Sequence, residues 1–153
     1  MKVLVFLLIS LFYTGSVDPF VGKVTKVIDG DTIEVLRDGK AIRLRLNGID
    51  APESGQPYGT KAKEFAASIL AGKEVSVVPH SQDRYGRTIA DIYLSDGSWF
   101  NKTIVAAGFA WHYKQYSKDS ELANAEVTAS EFKLGLWKDP NPIAPWEWRR
   151  GRR

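Results

Sequence analysis

The chain has 153 residues, 44% of them hydrophobic and 25% charged, which fits one globular domain with a real core rather than a disordered or repeat-built chain. It has no cysteine, so disulfides, thiolate zinc sites and a cysteine nucleophile are excluded. The two histidines, His80 and His112, form no HExxH pair and argue against a histidine-rich zinc site. The formal charge of +3 is too small to announce a nucleic-acid partner, although Arg149, Arg150, Arg152 and Arg153 crowd the C-terminus.

Met1-Lys2 precedes an apolar run over residues 3–11, extended by Phe12 and Tyr13 and followed by Thr14, Gly15 and Ser16. That run is short for a bilayer span, and the small residues after it suit signal peptidase. Residues 1–16 are therefore expected to be a signal peptide, which predicts an exported protein, secreted or periplasmic. An uncleaved anchor or a first buried strand is the other reading of the same run. Removing Lys2 with the signal would lower the net charge to +2.

Residues 20–49 read as β-structure. Ile33 and Val35 alternate with Thr32 and Glu34, Asp38-Gly39 supplies a hairpin turn, and Ile42, Leu44 and Leu46 then alternate with Arg43, Arg45 and Asn47. With the apolar set inside, Arg45 must project from the outer wall. Asp50-Ala51-Pro52-Glu53 ends the strand, because proline and its predecessor break regular pairing. Ala62, Phe65, Ala66, Ile69 and Leu70 predict a helix over 59–71 stopped by Gly72.

Two strands follow at 74–79 and 88–94, joined by the polar loop 81–87. A short helix is predicted over 100–107, and another over 120–133 with Leu122, Ala125, Ala129 and Phe132 on one side. The prolines and tryptophans beyond Leu136 suggest an irregular, tryptophan-packed tail. The sum is an α+β chain, a five-stranded OB-fold β-barrel with three covering α-helices. The expected division is a signal at 1–16, a domain at 17–138 and a Pro/Trp/Arg-rich extension at 139–153.

Asp31 and Asp50 stand at the two ends of a β-hairpin, which returns the chain so that their carboxylates can meet. Such hard oxygen donors, with a backbone carbonyl and water, are the set calcium prefers. Asp-Gly-Asp-Thr alone is as readily a plain turn. Glu53 is placed to orient or deprotonate water, or else to complement a helix dipole. Arg45 and Arg87 supply forks of the kind that grip phosphate oxygens, although either alone reads equally as a surface ion pair.

Residues 28–32, 45–53 and 83–87 resemble, in order and spacing, the three signature blocks of the staphylococcal nuclease (thermonuclease) family. The similarity runs from about Phe20 to Trp137. It implies a calcium-dependent, largely sequence-nonspecific hydrolase of DNA and RNA that leaves 3′-phosphate ends, acting as a monomer. By the same resemblance Asp31 and Asp50 would bind Ca2+ with the Ala51 carbonyl, Glu53 would act on the attacking water, and Arg45 and Arg87 would hold the scissile phosphate. Ala51 departs from the threonine of the best-known member, a change that a backbone ligand survives. Arg84, Tyr85, Tyr113 and Tyr116 are the expected substrate contacts, with either Tyr113 or Tyr116 stacking on a base. A non-catalytic OB-fold module that holds single strands is the competing expectation.

Overall fold

The computed structural model describes residues 18–152, so the expected signal segment at 1–16 lies outside the described residues. The chain runs β1 (Phe20–Asp29), β2 (Thr32–Arg37), β3 (Lys40–Leu46), the short β4 (Ile49–Asp50) and α1 (Gly59–Leu70). It continues through β5 (Glu74–Gln82), β6 (Thr88–Tyr93), α2 (Phe100–Ala106), the short β7 (Trp111–His112) and α3 (Ser120–Glu131). A 3-10 turn (Gly135–Lys138) and a last short helix, α4 (Pro145–Arg149), complete it.

The β2–β3 hairpin follows from its turn. Asp38 and Gly39 both have positive φ, at 48° and 76°, the backbone a two-residue turn needs to match strand twist. That turn fixes the register Arg37↔Lys40, Val35↔Ile42 and Thr32↔Arg45. Ile33, Val35, Leu44 and Leu46 consequently face inward, each at most 1% exposed. Burial of each such side chain contributes about 1.5–3 kcal/mol.

Five strands close into a barrel in the order β1-β2-β3-β6-β5. The closure needs one parallel pairing, Leu44↔Thr88 through Leu46↔Ala90, between β3 and β6. Helix α1 covers the barrel with Ala62, Ala66 and Leu70, while α2 buries Phe100, Ile104 and Val105. Asn101, on α2, is fully buried against the barrel: it accepts from the Ile92 amide and donates to the Asn47 carbonyl, each at 3.0 Å. That bond fixes where β3 leaves the barrel, and so where the following loop begins.

Two expectations are corrected. Helix α3 stops at Glu131, and Lys133 has a φ of 52°, so Phe132 swings out and is 71% exposed instead of joining Leu122, Ala125 and Ala129. The tail is not irregular throughout: a short fourth helix, α4, follows the three expected ones. Pro145 opens α4 at its first position, where a missing N–H costs nothing.

The loop between β4 and α1 is tight. The Gln56 amide donates to the Glu53 carbonyl at 2.9 Å and the Glu53 amide to Gln56 Oε1 at 3.0 Å. A Cβ at Gly59 would fall 2.1 Å from the Glu53 carbonyl oxygen, so glycine is required for this close approach. Gly59→Ala should lower stability by about 1–3 kcal/mol, the usual cost of overpacking, measured as a reduced urea midpoint.

Candidate active site

Register brings the first two carboxylates together. Thr32 pairs with Arg45 and the Leu46 amide donates to the Asp31 carbonyl at 2.8 Å, so Asp31 lies where β3 ends. The chain then turns through Gly48 into β4, which carries Asp50. The Ala51 amide donates to Asp31 Oδ2 at 2.6 Å, and Thr32 Oγ1 donates to Oδ1 at 3.0 Å. Asp31 is 6% exposed and Asp50 1%.

Arg45 holds this pair from the outer wall of β3. Its Nη1 donates to the Leu46 and Ile49 carbonyls at 2.9 and 2.8 Å. Its Nη2 stands 3.2 Å from Asp50 Oδ1 and 3.4 Å from Asp31 Oδ2. One guanidinium thus faces two carboxylates, and the surplus negative charge calls for a second cation. Hard oxygen donors of this kind are the type that divalent cations take.

Arg149, on α4, supplies positive charge there in this structure. Its Nη2 donates to Asp50 Oδ2 at 2.7 Å, and its Nη1 to Asp50 Oδ1 at 3.1 Å and Glu53 Oε1 at 2.6 Å. These carboxylate hydrogen bonds raise the Arg149 pKa above its ordinary value, Asp50 contributing most. Among the described residues no group of three or more acidic or histidine side chains is gathered closely enough to hold a metal ion by itself. Sequence reasoning left Arg149 without a role. Its one signal was an arginine cluster in a tail rich in proline and tryptophan, which does not reveal where the tail docks.

Glu53 is about one-third exposed and sits on the loop fixed by Gln56. Gln56 Nε2 donates to the Ile143 carbonyl at 2.6 Å, tying that loop to the C-terminal extension. Arg87 lies one residue before β6, which runs beside β3, but its partner is Asp83: Nε donates to Oδ2 at 2.7 Å. It does not join Asp31, Asp50 and Glu53 here. Tyr85 is 70% exposed, with the Arg84 and Arg87 guanidinium carbons 5.0 and 5.5 Å from its ring centre.

Strand β7 pairs with β4 through Asp50↔Trp111 and Ile49↔His112, and the Tyr113 amide donates to the Gly48 carbonyl at 2.8 Å. Tyr113 is thereby brought beside the carboxylates. Its ring stacks on Trp146 at 5.3 Å, and Tyr116 meets it edge-on at 4.7 Å. Tyr116 is 69% exposed. His80 pairs with Asp91, and His112 is 3% exposed.

Residues 43–139 match the staphylococcal nuclease homologue family. The chain belongs to that family. It is 46% identical over 128 residues, 84% of each chain, to a protein of Escherichia coli O157:H7 named an uncharacterized endonuclease. It is 41% identical over 141 residues to a micrococcal nuclease of Shigella flexneri, covering 86% of this chain and 81% of that one. A protein of Haemophilus influenzae, also named an uncharacterized endonuclease, is 42% identical over 129 residues, covering 84% and 72%. As a member of the staphylococcal nuclease family the chain is a hydrolase of the nuclease type, and its barrel is the α+β OB-fold of that family.

In this family member, burial raises the Asp50 carboxyl above its ordinary value of 3.8, with the hydrogen bonds from Arg149 opposing. Burial and the neighbouring Asp31 and Glu53 raise Asp29 in the same direction. The folded chain therefore holds these protons more tightly than the unfolded chain. Stability from these groups falls as pH rises from the ordinary aspartate value through the raised one. Asp50→Asn should flatten that fall without abolishing it, since Asp29 remains, as read from melting temperature against pH in cation-free buffer.

Proposed function

We propose that the chain is an exported, calcium-dependent nuclease that hydrolyses DNA and RNA with little sequence preference, leaving 3′-phosphate ends. The reading rests on one observation above all: Arg45 stands between two buried carboxylates, Asp31 and Asp50, with Glu53 on the adjoining turn. The catalytic domain is assigned to 17–138 and works as a monomer. A signal peptide at 1–16 would carry it out of the cytoplasm, to the periplasm or beyond. Among the described residues no helix is long and apolar enough to cross a membrane.

Asp31, Asp50 and the Ala51 carbonyl would hold the calcium ion. When bound, it supplies positive charge that polarises a phosphoryl oxygen. Glu53 takes a proton from, or orients, the water that attacks phosphorus in line with the departing 5′ oxygen. The new bond joins water oxygen to phosphorus, and the 5′ P–O bond breaks as its oxygen takes up a proton. Arg45 binds a non-bridging oxygen, where negative charge grows in the transition state. Arg87 binds another once it exchanges Asp83 for the phosphate. Tyr113 and Tyr116 give nearby bases a flat apolar surface, and Arg84 with Tyr85 meets the strand on the β5–β6 loop; stacking contributes about 1–3 kcal/mol per base.

Digestion of single-stranded and duplex DNA and of RNA, with calcium or excess chelator, tests this reading. Calcium-dependent release of 3′-phosphate ends is the expected result. Strand binding without cleavage in calcium would instead favour a non-catalytic OB-fold module. Glu53→Gln should lower kcat by about 10²- to 10⁴-fold, the range for loss of a general base, with strand binding retained. Arg87→Lys should also lose most activity, because an ammonium does not reproduce a bidentate fork; the end-labelled cleavage assay reads both.

A further inference from the structure

The C-terminal extension is docked on the active site at three points. Gln56 Nε2 binds the Ile143 carbonyl at 2.6 Å, Trp146 lies flat on Tyr113 with 3° between the rings, and Arg149 reaches Asp50 and Glu53. The edge of Trp146 also meets Trp111 at 5.6 Å. Arg149 is thus delivered by a helix anchored on both sides of the site. It is less than half exposed at 39%, and it lies beyond the family match at 43–139.

Its two nitrogens engage both oxygens of Asp50, a fork-on-carboxylate arrangement that is strong because it is bidentate and charge-assisted. Asp50 is 1% exposed, and an uncompensated buried carboxylate is costly. Arg45 is shared with Asp31 and with two backbone carbonyls. The remaining demand for positive charge is met from α4. A divalent cation held by Asp50 needs oxygen lone pairs that Arg149 now occupies.

We propose that Arg149 is the resident counter-cation of Asp50 and Glu53, and that a divalent cation displaces it from Asp50, so that the C-terminal helix sets the cation affinity of the site. The inference rests on the calcium reading above. Arg149 acts as a positioning residue. It holds the two carboxylates together, and its bond to Glu53 Oε1 at 2.6 Å gives the guanidinium a resting place when Asp50 turns to the cation.

The test is calorimetric titration of the whole chain with calcium chloride, without nucleic acid, for the unaltered chain, Arg149→Ala and Arg149→Lys. Arg149→Ala should bind calcium at least about fivefold more tightly, the lower edge of ordinary site-to-site coupling. Its melting temperature without calcium should lie below that of the unaltered chain, with the gap closing as calcium is added. Should Arg149→Ala fail to fold, Arg149→Lys, which keeps the charge but not the fork, carries the same expectation of tighter binding. Equal or weaker affinity in the folded variants overturns the inference while leaving the calcium reading intact. Absence of calcium binding in every chain, including the unaltered one, overturns both.

Discussion

The site depends on one largely covered guanidinium. Arg45 projects from the outer wall of β3, donates to the carbonyls of Leu46 and Ile49, and places its other nitrogen between Asp31 and Asp50. It closes the turn that follows its own strand and gathers two carboxylates which would otherwise repel. An ion pair in such surroundings is poor evidence of net stabilisation, because desolvation offsets much of the attraction. Its value here is geometric. It ties residues 46–50 to the carboxylates, alongside the Asn101 bond and the β4–β7 pairing that hold the same stretch of chain.

Around that guanidinium the fold supplies rigid supports of different kinds. The β2–β3 turn sets the register that brings Thr32 opposite Arg45. Buried Asn101 pins the exit of β3 through Asn47. Glu126 accepts from the His112 amide at 3.0 Å and pairs with Lys114, steadying β7 and with it Tyr113. Groups that bear on chemistry are therefore carried on strand ends and short loops, and the loops are held by polar side chains such as Asn101, Gln56 and Asp83. This fits the general need of active sites for orientation fixed before substrate arrives.

The barrel was legible in the sequence because its signals are local and periodic. Alternation from Ile33 to Leu46 and the Asp38-Gly39 turn determine the hairpin, and the spacing of Ala62, Ala66 and Leu70 determines α1. Proximity of Asp31, Arg45 and Asp50 followed from the same hairpin. Docking of the extension was not legible. Arg149 lies 99 positions beyond Asp50 in the chain, and no short-range pattern encodes such a contact. Helix α4 spans five residues, too few for a periodicity to emerge. Phe132 misled for a related reason: its spacing suits α3, but a positive φ at Lys133 marks a chain already turning away. The place of Arg87 was legible as a position and not as a contact, since Asp83 competes for the same fork.

The parallel β3–β6 pairing has a further consequence. By joining Leu44 to Thr88 and Leu46 to Ala90, it closes the sheet into a ring, so each of the five strands has a partner on both sides over part of its length. An open sheet would offer a free edge as a template for strand addition by another molecule, the usual start of aggregation. Sealing this one rests on contacts far apart in sequence, which form late and slowly as a chain folds. The protein is accordingly most exposed to self-association before the ring closes, and best protected from it afterwards.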